Sequence, residues 1–183
     1  MARRYDPERR QRIIDAAIRV VGEKGIGALS HRSAAAEADV PLGSTTYHFK
    51  TLDELLLAAL RQANEGFAKV VASRGAFQDP RVDLAGEIAE ILALWLGQER
   101  TAVELEYELY LAALRRPALR PVAACWCDEL AGVFAERTDP ATARALVALM
   151  DGICLQVLLT DGVYDKAYAR EMFNRLLPAS STG

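Results

Sequence analysis

Residues 28–55 read ALSHRSAAAEADVPLGSTTYHFKTLDEL, and this stretch decides the fold. Ser30 is a good helix N-cap, and the small residues behind it predict a short helix over about 31–37. A break at Ala38–Pro41 precedes a second short helix, about 42–48, and Thr51 with Asp53 and Glu54 opens a longer one. Two short helices separated by about four residues meet the requirement of a helix-turn-helix. Ala34, Ala35 and Ala38 are small enough for the second helix to approach closely. Val40 supplies an apolar plug under the turn, and Phe49 is the expected inward anchor. The segment Leu42 to Phe49 is short and rich in hydroxyls, which can meet phosphates, base edges or thymine methyls without bulk. Lys50 follows where a backbone phosphate would be clamped. Spacing alone equally fits a plain helical hairpin with polar caps.

Outward from this motif, helical periodicity continues. Ile13, Ile14, Ala17, Val20 and Val21 form an apolar stripe, with Asp6-Pro7 as a start signal and Gly25 and Gly27 as stops, predicting a helix over about 7–24. The helix opening at Leu52 reaches roughly Ser73. Gly75, Asp79-Pro80, Pro117, Pro121 and Asp139-Pro140 punctuate the remainder. They leave helices near 82–97, 100–115, 119–136, 140–160 and 165–177, and a frayed tail at Pro178–Gly183. No period-2 pattern competes. The expected fold is all-α with about nine helices: an N-terminal helix-turn-helix domain of three helices at 1–51 (motif about 30–49) and a C-terminal helical body at 52–183.

With 183 residues, 51% hydrophobic and 26% charged, the composition is that of a soluble globular protein of one domain, or two small ones sharing a core. The net charge of −3 is unevenly placed: residues 1–50 carry nine Lys/Arg against six Asp/Glu, the rest thirteen against nineteen. A basic N-terminal surface on an acidic body follows. The clean apolar runs Leu92–Leu96 and Val157–Leu159 are short for a bilayer, and Met1–Asp6 has no apolar stretch behind its arginines, so neither a membrane span nor a signal peptide is expected. Cys125, Cys127 and Cys154 lack metal-ligand spacing and read as small buried hydrophobes, with redox sensing the alternative, in a reducing, cytoplasmic setting. The two histidines, His31 and His48, both fall in the motif. No catalytic constellation, metal site or cofactor is implied, and an enzyme is not expected.

Ala28-Leu29-Ser30, Arg32, Ala35, Ala38, Val40, Gly43 and Tyr47-His48-Phe49, followed by a charged helix start and Leu55, resemble the N-terminal domain of TetR-type transcriptional regulators. The resemblance spans about residues 9–67; the C-terminal half agrees in architecture only. It implies a homodimer on double-stranded DNA at a palindromic operator, with 52–183 as the ligand-binding and dimerisation domain. It also implies a DNA-contacting set that includes Gly43. Ser30, Arg32, Tyr47, His48 and Lys50 fall to phosphates (Arg32 alternatively to a base), and His31, Leu42, Ser44, Thr45 and Thr46 to base edges. Arg3, Arg4, Arg9 and Arg10 add a basic arm that either meets DNA or merely solubilises. Three departures stand out: Asp39 replaces a usual turn Gly, Pro41 replaces a usual Ser N-cap, and Thr45-Thr46 replace a commoner Leu-Tyr pair. They put the base preference in question.

In the body, Trp95, Val103, Tyr107, Tyr110, Leu111, Leu114, Trp126, Leu130 and Phe134 recur at helical spacing and read mainly as core. Trp95, Tyr107, Tyr110 and Trp126, with Asp151 and Cys154 on an otherwise apolar helix, are the expected ligand-binding residues for an unidentified small-molecule effector. Glu104 and Glu108 share a helix face flanked by Glu106, read as a solvated acidic surface, the alternative being recognition of a cationic ligand. Helices 140–160 and 165–177 are apolar on more than one face, which predicts homodimerisation through a two-fold four-helix bundle. The function expected is a ligand-responsive repressor released from its operator by the effector; the alternative is a small-molecule binding or scaffolding protein without specific DNA binding.

Overall fold

The structure, a computed structural model, describes residues 7–98, 100–160 and 162–177. Among these residues the regular elements are all helical: α1 (Arg9–Lys24), α2 (His31–Glu37), α3 (Leu42–His48), α4 (Leu52–Ser73), α5 (Leu84–Gln98), α6 (Arg100–Ala112), α7 (Arg120–Ala135), α8 (Pro140–Leu159) and α9 (Lys166–Leu176). Two ends differ from expectation for local reasons. α1 begins at Arg9 with Glu8 at the cap making no side-chain bond, and the expected cap, Asp6, lies outside the described residues. α6 stops at Ala112 rather than near 115, because Pro117 holds Arg116 extended (φ −123°, ψ 92°) and the chain tightens into a 3-10 turn at Pro117–Leu119.

The chain divides into two compact units, Met1–Asn64 with Glu104–Ala123, and Glu65–Val103 with Ala124–Gly183. By packing, the division falls elsewhere than the expected 51/52 boundary. Residues 52–64 of α4 and the stretch 104–123 join the N-terminal helices, so α4, α6 and α7 each contribute to both units.

In the first unit the α1 stripe (Ile13, Ile14, Ala17, Val20, Val21) is fully or almost fully buried. It joins one cluster with Leu29, Ala34, Phe49, Leu55, Leu56 and Leu60, and with Leu109, Ala113, Leu119 and Val122. Each Val, Leu, Ile or Phe side chain among them removed from water contributes about 1.5–3 kcal/mol, and each Ala correspondingly less. In the second unit α9 packs against α5. Tyr164 Oη donates to the Ala89 carbonyl (2.9 Å), Lys166 pairs with Glu90 (2.8 Å), and Arg170 with Asp83 (2.7 Å). Phe77 meets Phe134 (5.8 Å between centroids), and Asp139 caps α8 by accepting from the Ala141 and Thr142 amides.

α8 is long and apolar enough to cross a membrane by length and composition, which the short-run reading of the sequence did not register, and a third of its apolar window is buried. Leu159, Val163, Tyr168 and Leu176, on or beside α8 and α9, are exposed.

Candidate nucleic-acid interface and effector-binding residues

The α2–turn–α3 segment is built from local bonds. Ser30 Oγ accepts from the Ser33 amide (3.0 Å) while Ser33 Oγ accepts from the Ser30 amide (2.8 Å), a reciprocal cap on α2. Asp39 sits at φ +52°, the left-handed turn conformation that a short polar side chain tolerates. The Val40 amide donates to the Ala35 carbonyl (3.0 Å), closing the turn. Pro41 supplies no side-chain cap to α3, but its carbonyl accepts from the Ser44 amide (2.8 Å). Phe49 is buried as expected, and the Arg10 guanidinium lies 5.1 Å above its ring.

Of the residues expected at DNA, Ser30, Arg32, Leu42, Gly43, Thr46, Tyr47 and Lys50 are exposed, and His31 and His48 half-buried. Ser44 and Thr45 are not on this surface. They are buried, Thr45 completely, so their assignment to base edges is corrected. Thr45 Oγ1 donates to the Leu42 carbonyl (2.8 Å) on its own helix. That bond satisfies the hydroxyl internally and lets a polar residue occupy a core position. The face left to a partner is Leu42, Gly43, Thr46, Tyr47 and His48, with Lys50 beyond.

Tyr47 is 72% exposed, and its ring meets that of His48 edge-on (5.1 Å) and carries the Lys50 ammonium at 5.6 Å. Burial, then the positive charges of Arg9 and Arg10, push the His48 pKa below its ordinary value. Two arginines read from sequence as part of an arm thus sit on the first turn of α1, close enough to act on the end of α3. Arg3 and Arg4 lie outside the described residues. The concentrated positive potential beside exposed Tyr47 and Lys50 is the chemistry of a phosphate-binding edge.

The acidic residues of α6 do not form one solvated face. Glu104 is exposed, Glu106 is buried (8% exposed), and the half-buried Glu108 accepts the Ile26 amide through Oε1 (2.5 Å). Farther along, Arg116 pairs with Asp53 at the start of α4 (2.5 Å). Sequence reasoning passed over both ties; only the alternating spacing of Glu104, Glu106 and Glu108 hinted that they could not all face solvent. Leu111 and Leu114, read as core, and Cys125, read as a small buried hydrophobe, are exposed, and Cys127 is half-buried.

The expected ligand-binding residues fall in both units. Tyr107, buried, and Tyr110, half-buried, meet edge-on at 6.4 Å in the first. Trp126 and Cys154 are buried and Trp95 and Asp151 half-buried in the second. Cys154 has no exposed surface and lies near Tyr164. Burial chiefly, and the neighbouring Cys154, Glu90 and Asp165 secondarily, push that phenol's pKa well above its ordinary value.

Comparison with known proteins places these features in a context. Residues 13–59 match the model of "Bacterial regulatory proteins, tetR family", and residues 79–179 that of "Tetracyclin repressor-like, C-terminal domain". A solved structure of the multidrug binding protein EbrR with imidazole is 72% identical, covers 97% of this chain and 99% of its own, and superposes with a TM-score of 0.92. EbrR is also solved with ethidium, malachite green and proflavin. The nicotine-responsive transcriptional repressor HdnoR of Paenarthrobacter nicotinovorans is 30% identical over 81% of this chain and 83% of its own. The transcriptional regulator BetI of Burkholderia thailandensis is 28% identical over 91% and 90%.

Proposed function

The chain belongs to the TetR family of bacterial regulatory proteins, and from that premise we propose that it is a repressor released from a palindromic operator by a small aromatic cation. It is a ligand-responsive, DNA-binding transcriptional regulator. The observation that carries the DNA half is the exposed edge of α3, with Tyr47, His48 and Lys50 beside Arg9 and Arg10. Ser30, Tyr47, His48 and Lys50 hold phosphates and Arg32 a phosphate or a base, while Leu42, Gly43, Thr46 and the side of His31 approach the bases. A homodimer through α8 and α9, supported by the part-buried apolar α8 and the exposed Leu159, Tyr168 and Leu176, puts two α3 helices into successive major grooves. Reading function is assigned to 1–51, effector binding and dimerisation to 52–183, and the setting to the cytoplasm.

The effector class rests on the 72% identity to a protein solved with ethidium, malachite green and proflavin, all aromatic cations. Buried Glu106, one turn before Tyr110 on α6, supports the same chemistry, since a desolvated carboxylate beside aromatic rings suits a flat delocalised cation. Tyr107 and Tyr110, which meet edge-on on the same helix, supply the neighbouring rings. Binding shifts α4, and the two heads lose their spacing on DNA. A coupling of about 1–3 kcal/mol changes operator occupancy 5- to 150-fold, provided the cation prefers the released conformation.

The test titrates malachite green into the protein alone, because planar dyes intercalate into DNA, and follows quenching of Trp95 and Trp126 fluorescence. Saturable binding that Glu106→Gln weakens at least fivefold, with a neutral aromatic of similar size left unaffected, is the expected outcome. Equal binding of charged and neutral dyes contradicts the cation assignment.

A further inference from the structure

The reading face of α3 lacks the side chains that usually distinguish bases. Across α2 and α3 (HRSAAAE and LGSTTYH) Arg32 is the sole Arg or Lys, and Asn and Gln are absent. Guanine is read by Arg or Lys in bidentate fashion and adenine by Asn or Gln, whereas thymine is read by apolar contact with its 5-methyl group. Burial of Ser44 and Thr45 takes two of the three Ser/Thr hydroxyls of α3 off the surface. The third, Thr46 Oγ1, donates back to the Gly43 carbonyl (3.4 Å), which occupies its proton, while the exposed side chain still offers its methyl for apolar contact. Leu42, at the first position of the helix, is 45% exposed, an apolar side chain held toward solvent with no core role. Nothing lies within 4 Å of where a Gly43 side chain would begin, so the backbone between Leu42 and Thr46 is open to close approach.

Resting on the reading of α3 as the DNA-reading helix, we infer that base discrimination within each half-site is carried by thymine 5-methyl groups packed against Leu42 and the Thr46 methyl, with Arg32 supplying at most one guanine contact. The operator core is therefore thymine-rich on the strand facing α3. Its recognition depends on a group that contributes no hydrogen bond.

The test uses the full-length protein. Operator duplexes are selected from a random library, and each half-site thymine is then replaced symmetrically by deoxyuridine, which keeps every hydrogen-bonding group and removes only the methyl. Burying one methyl-sized group predicts about a fourfold loss of affinity per methyl, and about sixteenfold when both half-sites are changed. At the sensitive position, Leu42→Ala or Thr46→Ser lowers the thymine-over-uracil ratio to about one. Because Leu42 and Thr46 are exposed, both variants keep the fold, which circular dichroism checks. A selected core without thymine, or deoxyuridine duplexes all bound within twofold of the original, overturns the inference while leaving DNA binding intact. Selection that returns no sequence preference overturns the DNA-reading assignment itself, and this inference with it.

Discussion

Glu108 is the side chain whose removal reports most cleanly on how the turn before α2 is held. Its Oε1 accepts the Ile26 amide at 2.5 Å in a part-buried setting, eighty-two residues away in sequence. The turn follows Gly25, whose φ of +77° lets α1 end sharply, and leads through Ala28 and Leu29 to the capped Ser30. Glu108→Ala leaves a part-buried N–H without an acceptor, a loss of about 1–3 kcal/mol. For a chain of this length each kcal/mol moves Tm by about 2–4 °C, so a fall of about 2–12 °C follows. Glu108→Gln keeps an oxygen acceptor and forfeits only the charge-assisted part of the bond, a smaller fall. The direct assay is hydrogen exchange at the Ile26 amide, which the alanine variant accelerates about 5- to 150-fold by the same free energy. An Ile26 exchange rate unchanged in a folded Glu108→Ala protein would refute the reasoning.

Four further outcomes are expected. Asp39→Val destabilises by about 1–2 kcal/mol in chemical denaturation, because a β-branched residue resists the left-handed turn, while Asp39→Gly does not. Thr45→Val leaves the selected operator unchanged and stability within about 1.5 kcal/mol, since the buried hydroxyl serves only internal carbonyls, Leu42 on its own helix and His31 on α2; an altered base preference would put Thr45 back at the interface. Lys50→Ala weakens binding to all sequences alike and lowers the salt slope by about one per head, and Tyr47→Ala does the former, each with the dimer intact. Burial and the charges of Arg9 and Arg10 depress the His48 pKa in the free protein, and a phosphate favours the imidazolium. Binding therefore takes up a proton, so affinity rises as pH falls through the bound-state pKa, and His48→Gln flattens that profile.

The helix-turn-helix was legible because its signals are local. A Ser30 cap, small residues at Ala34 and Ala35, a left-handed-tolerant Asp39 and an anchor at Phe49 all act within a few residues, and α2, α3 and α4 fall where those signals placed them. What was not legible depends on partners distant in sequence. Hydropathy assigns Thr45 to the surface, yet bonds to the Leu42 carbonyl and, across to α2, the His31 carbonyl let it stand as a core residue. The acids of α6 look alike as letters, and only the packing of residues 104–123 with α1 decides that Glu106 is buried and Glu108 bonds to Ile26. The same long-range packing moves the boundary between compact units into the middle of α4. Leu111 and Leu114 fit the apolar period but lie on the helix side and terminal turn that the core does not reach.

The central claim, a dimeric regulator that reads a specific operator through α3, is tested most directly by selecting duplexes from a random library with the full-length protein and measuring their affinity by fluorescence anisotropy across a salt series. The account predicts a two-fold symmetric consensus with half-site centres about one helical turn apart, or a multiple of it, bound with steep salt dependence and retained sequence preference. Weak, sequence-blind binding that vanishes at physiological salt would contradict it.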